Sequence, residues 1–338
     1  MIKKDFILPL LLAALFLLPG CKDSKQAPAA GDAAEAAEAA EASVETAVEP
    51  AYDLEAIARA IQGCDYLENF KNGVASFRKD GVWMYVDKLG RLVDEAPAEE
   101  PQKGLRVDYE KGRKGYVNEK GELVIDHKYQ YAGEFHEGLC WVYLDDGENE
   151  GIGYINEKDE LVIPCQFEWA VDYSPCDFHE GLCPVMTIPE RELFSYIDKT
   201  GAIAFPGYYH SDNNFSEGLA GVRESIMDGD DVVGTRSGYI DKTGKMVILL
   251  DENCSGKEFH EGIAKVYAYM DNQAWMIDRE GNKLFDLDPD IFYTGEDLFF
   301  SEGLCAFGSR TGQWGFLDKT GRTTKTLVSR KLPGGSWE

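Results

Sequence analysis

An all-β tandem array of about seven three-stranded β-hairpin repeats is the fold this sequence predicts, and three observations predict it. The phrase Phe-x-Glu-Gly-Leu recurs as Phe135-His136-Glu137-Gly138-Leu139, Phe178-His179-Glu180-Gly181-Leu182, Phe215-Ser216-Glu217-Gly218-Leu219, Phe259-His260-Glu261-Gly262-Ile263 and Phe300-Ser301-Glu302-Gly303-Leu304, with a degenerate copy at Phe70-Lys71-Asn72-Gly73-Val74. A second phrase interleaves with it: an aromatic residue or Met, an aliphatic residue, Asp or Asn, then a turn. Its seven copies begin at Tyr85, Tyr116, Tyr154, Tyr196, Tyr239, Met276 and Phe316. After each Glu-Gly, small and β-branched residues alternate, as in Cys140 with Val142, Cys183 with Val185, Ala220 with Val222 and Ala264 with Val266. That period of two marks a half-buried strand. One hairpin alone is marginal in water, so neighbouring repeats must cover its apolar face.

The chain begins with Lys3 and Lys4, an apolar run from Phe6 to Leu18, and Pro19-Gly20 before Cys21. This is the layout of a secretion signal over residues 1–20, too short and too broken by Pro9 to stay as a spanning helix. Residues 21–52 are mostly Ala and Glu, with almost no large apolar side chain, and read as a tether that cannot bury a core. Over 53–63 a short amphipathic helix is expected, with Asp53 as N-cap, Leu54, Ile57, Ala58 and Ile61 on one face, and Gly63 as the stop. Residues 64–330 carry the repeats and 331–338 form a tail.

Each repeat can be followed strand by strand. The strand after Glu-Gly leads through a turn of variable length to the aromatic-aliphatic-Asp strand. In Asp198-Lys199-Thr200-Gly201 the carboxylate can accept backbone amides at the turn, and the glycine supplies the positive φ. A third short strand follows, such as Leu123-Val124-Ile125 or Leu161-Val162-Ile163. A stacked solenoid is the expected arrangement, with propeller-like closure as the alternative; a usual propeller blade has four strands, one more than the sequence supplies.

Two resemblances come from these motifs. Leu18-Pro19-Gly20-Cys21 resembles the bacterial lipobox, which implies acyl chains on Cys21, cleavage before it, and membrane attachment of the mature chain. Trp314-Gly315-Phe316-Leu317-Asp318-Lys319-Thr320-Gly321, with the Phe-x-Glu-Gly-Leu copies, is similar to the WG repeat of bacterial proteins. Lys114-Gly115 and Ser237-Gly238 keep only the glycine of the Trp-Gly pair, and Trp83-Met84 and Trp275-Met276 only the tryptophan. The WG resemblance implies a repeat domain of secreted or envelope proteins and brings no enzymatic activity with it.

Composition narrows the partners. A formal net charge of −27 repels nucleic acid and anionic headgroups and favours cationic partners. Cys140, Cys183 and Cys305 share a repeat position that Ala220 and Ala264 hold elsewhere, the mark of a small buried side chain. Cys64, Cys165, Cys176 and Cys254 lie in irregular segments, where Cys165 with Cys176 is the first disulfide to test. His136, His179 and His260 alternate with Ser216 and Ser301, so they read as turn residues and no metal or other cofactor is expected. The five phrase glutamates read as turn-stabilising, because glycosidase-type catalysis needs one pair of carboxylates at a set separation. No phosphate-cradling loop or nucleophile elbow is present, and no enzyme is expected.

The loops 145–150, 187–193 and 224–236 connect the same two strands of their repeats and should emerge on one side. Asp145, Asp146, Glu148, Asp228, Asp230 and Asp231 are therefore the candidate partner-contact residues, with Tyr208, Tyr209 and Trp169 as candidate aromatic contributors. The function expected is a lipid-anchored scaffold binding a protein or glycan at the cell envelope, on the outer membrane or surface in preference to the inner membrane, since Lys22 follows Cys21. The alternatives are a structural assembly lipoprotein and a polysaccharide hydrolase.

Overall fold

The computed structural model describes residues 52–97, 104–145, 147, 150–168, 177–210, 213–289, 291, 298–309 and 311–324. The candidate lipidation cysteine Cys21, the tether up to residue 51, the tail, and the contact candidates Asp146, Glu148 and Trp169 lie outside them, as does Cys176 of the candidate disulfide.

The helix Leu54–Ala60, called α1, forms where expected. Asp53 caps it by accepting the Ala56 amide at 2.9 Å, and Ile57 and Ile61 are fully buried. Seven antiparallel sheets follow, each built on one hairpin: Val74–Lys79 with Val82–Asp87, Arg106–Glu110 with Arg113–Val117, Leu139–Asp145 with Glu150–Asn156, Leu182–Ile188 with Leu193–Asp198, Leu219–Asp228 with Asp231–Asp241, Ile263–Ala268 with Gln273–Asp278, and Leu304–Gly308 with Trp314–Asp318. These are blades 1 to 7 of a β-propeller. The strand count differs from the sequence reading, because blades 1, 3 and 6 have four strands. The extra strands, Tyr66–Leu67, Tyr131–Ala132 and Cys254–Gly256, are two or three residues long and lack the length for period-two alternation to show.

Local chemistry explains why each hairpin turns where it does. In all seven blades the Asp or Asn of the second phrase accepts the amides two and four residues on, as Asp198 does from Thr200 at 2.8 Å and Ala202 at 3.3 Å. The glycine of the Trp-Gly pair has its own cause. A Cβ on Gly115, Gly153, Gly238 or Gly315 would lie 2.7, 2.7, 2.1 and 2.1 Å from a carbonyl oxygen of the third strand or its equivalent, at Ile125, Ile163, Ile248 and Thr324. Only glycine admits that approach.

Packing between blades follows one plan. The phrase Leu and second-phrase aromatic of one blade face the Phe, the Cys or Ala, the Val and the Ile of the next. Blade 3 thus offers Leu139, Tyr154 and Ile163 to Phe178, Cys183, Val185 and Ile197 of blade 4. The same set joins blades 2 and 3, 4 and 5, 5 and 6, and 6 and 7. It also joins the last blade to the first: Leu304 and Phe316 of blade 7 pack with Phe70, Ala75, Phe77 and Val86 of blade 1, and with Ile57 and Ile61 of α1. The array is therefore bent into a ring whose first and last blades pack together, not laid out as an open stack.

Candidate functional site

The phrase turn shows what the repeated glutamate does. Glu137, Glu180, Glu217, Glu261 and Glu302 all have φ between 51° and 54°, a left-handed conformation disfavoured for a residue with a Cβ, and each is followed by a glycine with φ of 81° to 89°. The two residues form a tight hairpin, His136 N to Leu139 O at 2.9 Å and back at 3.0 Å in blade 3. The glutamate is held there from outside its own turn. Its carboxylate accepts the amide of the phrase glycine in the next blade: Glu137 from Gly181 at 2.9 Å, Glu180 from Gly218 at 3.0 Å, Glu217 from Gly262 at 3.0 Å, Glu261 from Gly303 at 2.9 Å, and Glu302 from Gly73 at 3.0 Å.

A cation completes each clasp. Lys199, Lys242, Arg279, Lys319 and Lys88, each directly after the turn Asp of the next blade, donate to the glutamate's own carbonyl at 2.6 to 3.1 Å. Four of the five also pair with its carboxylate, at 2.8 to 3.2 Å. Sequence reading placed these glutamates in a turn-stabilising role; the structure corrects this to a bond between blades.

Burial alone would raise the carboxyl pKa of Glu137, Glu261 and Glu302, yet all three are lowered, because the lysine and the amides of the next turn favour the charged form. Such groups stay ionised and engaged, which suits a fastener and not a proton-transfer catalyst.

The histidines sit beside these clasps. The rings of His136 and His179 are 5.3 Å apart, and His136 Nε2 lies 3.4 Å from Asp177 Oδ2. Burial raises the Asp177 carboxyl pKa, with both histidines acting in the opposite sense. Where serine replaces histidine it bridges blades directly, Ser216 Oγ to Phe259 O at 2.5 Å and Ser301 Oγ to Phe70 O at 2.7 Å. Among the described residues no group of three or more His, Cys, Asp or Glu side chains is arranged to hold a metal ion.

The cysteines sit as the repeat position implies. Cys140, Cys183 and Cys305 are at most 1% exposed, and the first two meet the hydroxyls of Tyr116 and Tyr154 in the preceding blade at 2.9 and 3.1 Å. Burial pushes the Cys140 and Cys305 thiols up to about 12. These are packing residues.

The strand pairing puts the Asp turns, and the clasps of the blades that have them, at one end of a blade and the connecting loops at the other. Leu139 pairs with Asn156 at the clasp end and Asp145 with Glu150 at the tip; Leu219 pairs with Asp241 and Asp228 with Asp231 in blade 5. The tips of adjacent blades 4 and 5 touch, Arg191 donating to the carbonyl of Asp230. On this tip face Asp145, Asp228, Asp230 and Asp231 are exposed.

Sequence reading missed the apolar partners of these acids at the tips: Val82, Tyr109, Val233, Tyr269 and Met270, 58% to 79% exposed. Each stands beside a turn in a polar context, and no periodicity marks it out. Beside the blade 6 tip a cleft of about 730 Å³ is lined by Asp251, Glu252, Asp271, Gln273, Trp275 and Lys283, with Lys283 Nζ 5.3 Å from the Trp275 ring. Tyr209, a candidate contact aromatic, is instead fully buried and stacks edge-on against Tyr196; Tyr208 is half-buried. The physical reason is that Tyr209 bridges Phe194 and Glu224, so its strand closes the gap between blades 4 and 5.

Tyr52 and Asp53, just before α1, lie on the clasp face. Asp53 N donates to Lys88 O at 2.8 Å in the turn of blade 1, and a Cβ on Gly303 would lie 3.7 Å from the Tyr52 ring.

Four segments, 63–83, 115–147, 152–187 and 194–225, match the family described as WG containing repeat. No curated protein matches the chain. Among solved structures it is similar to the computationally designed Ika8 protein, at 14% identity and a TM-score of 0.42 over 78% of this chain and 86% of that one. It is similar also to BamB from Moraxella catarrhalis, at 12% identity and a TM-score of 0.41 over 76% of this chain and 83% of that one.

Proposed function

From the premise that four segments of the chain match the WG containing repeat, we propose that the protein is a WG-type interaction scaffold of the cell envelope, tethered through lipid on Cys21 and binding its partner with the tip face. One observation carries the reading: exposed acidic and apolar residues gather at the hairpin tips, on the face opposite the clasps. Exposed apolar side chains among acids fit a protein surface with basic and aliphatic groups, the acids speeding encounter and the apolar groups lengthening residence.

Binding, not catalysis, is the role the ring supports, since its repeated carboxylates are spent in fastening blades. The test is capture of the envelope partner by the full chain, set against a variant carrying Tyr269→Ser, Met270→Ser, Asp228→Asn, Asp230→Asn and Asp231→Asn. Loss of the partner with an unchanged far-UV spectrum supports the tip face; full retention moves the site elsewhere. Fatty-acid labelling separates the anchor from the face. A Cys21→Ala protein that remains labelled and membrane-bound defeats the anchor and leaves the tip assignment standing.

A further inference from the structure

Six of the seven joints in the ring bury the same apolar set, and the joint between blades 1 and 2 does not. Elsewhere the phrase Leu or Ile, the second-phrase aromatic or Met, and the aliphatic residue facing it from the next blade are all at most 8% exposed. Their equivalents at this joint, Val74, Tyr85 and Val117, are only half-buried.

The chemistry of the joint differs too. The buried Cys or Ala position is Arg106, the buried Val position is Asp108, and the third-strand residue that elsewhere packs on the next blade is Asp94, exposed. The Glu-to-cation clasp is missing as well, as it is between blades 2 and 3: Asn72 stands where five joints have Glu, and Glu119 stands where they have Lys or Arg.

The carboxylate that blade 2 presents at this joint is satisfied within blade 2. Asp108 Oδ2 meets His127 Nε2 at 2.9 Å across the strand that holds Gly115, so hydrating this face exposes a completed pair and not an orphaned charge. At the other six joints, parting the blades would wet fully buried aromatic and aliphatic side chains. Here that penalty is largely absent.

We propose that the propeller is a split ring: it is locked between blades 7 and 1 by α1 and the Glu302 clasp, and it opens and closes at the joint between blades 1 and 2. Blade 1 moves with blade 7 and α1 as one lip of the split, and blade 2 with blade 3 as the other. Because the tips of blades 1 and 2 flank the split, opening changes the spacing of Val82 and Tyr109 on the tip face.

Distances between bio-orthogonal spin labels in the full chain test this directly. One pair is placed at Val82 and Tyr109 across the split, and a control pair at Val233 and Tyr269 across blades 5 and 6. The expected result is a broad or two-component distribution for the first pair and a single narrow one for the control. Repairing the clasp with Asn72→Glu and Glu119→Lys should collapse the first distribution to the narrow form. A first pair as narrow as the control, or breadth in both pairs, overturns the proposal, as does breadth that the repaired clasp leaves unchanged.

Discussion

Glu302 accepts the amide of Gly73 at 3.0 Å across 229 residues of sequence, and with that bond blade 7 is fastened to blade 1. The same carboxylate lies 2.8 Å from Lys88 Nζ. Replacing Glu302 by Ala should cost about 1–2 kcal/mol, the lower part of the range for a charge-assisted hydrogen bond, because the pair is partly solvated. Lys88→Ala should cost less, since the Gly73 bond survives it. A double-mutant cycle by urea unfolding checks this: the two losses should fail to add, and strict additivity would show that the pair does not cooperate in closure.

Acid should loosen the ring, and the sign follows from the direction of the shifts. Glu137, Glu261 and Glu302 have folded-state pKa values below their ordinary 4.5, with Lys199, Lys319 and Lys88 outweighing the burial that would raise them. A group of this kind binds its proton more weakly when folded, so its stabilisation is present above 4.5 and is lost as pH falls through the folded value. The unfolding midpoint of the wild type should therefore drop as pH falls below about 4.5. In a Glu137→Gln, Glu261→Gln, Glu302→Gln variant the same drop should be shallower, and an equally steep profile would assign the acid sensitivity to other carboxylates.

The repeat unit was legible from sequence because its determinants are local. Asp198 reaches amides only two and four residues away, and Cys140 betrays its burial by trading places with Ala220. Closure was not legible, since a solenoid and a ring use the same local turns and differ only in whether Leu304 meets Phe70.

The clasp left a trace that could have been read. Glu137 and Lys199, Glu180 and Lys242, and Glu217 and Arg279 are each 62 residues apart, a constant separation between repeated opposite charges. The seventh phrase, Gly104-Leu105, was passed over because its Phe and Glu are absent. It keeps the positive φ of 92° at Gly104 and the burial of Leu105. The tip apolars such as Met270 left no sequence signal, because exposure at a turn depends on which neighbouring loop fails to cover it.

Two turn glycines separate backbone strain from helix packing. Gly90 and Gly121 share nearly the same φ, 74° and 78°, but a Cβ on Gly90 would lie 2.3 Å from the Ala56 backbone of α1, whereas Gly121 faces open space. Gly121→Ala should cost about 1 kcal/mol for the left-handed conformation alone. Gly90→Ala should add an overpacking penalty of about 1–3 kcal/mol by displacing α1 from the joint of blades 7 and 1. Equal losses by denaturant titration would mean that α1 yields without cost and does not lock the ring.

Cys305 gives the last test, of burial against reactivity. Its thiol is fully buried, burial pushes its pKa up to about 12, and the position is filled by alanine in blades 5 and 6. A thiol that high holds almost no thiolate at neutral pH, so alkylation in the native protein should leave Cys305 unmodified, and denaturant should expose it. Cys305→Ala should cost under about 1 kcal/mol, because the cavity left by one sulfur is small and alanine already serves the same site. Mass spectrometry of native protein treated with iodoacetamide decides the first point. Rapid modification there would mean that the joint of blades 6 and 7 opens, and would relocate the split proposed between blades 1 and 2.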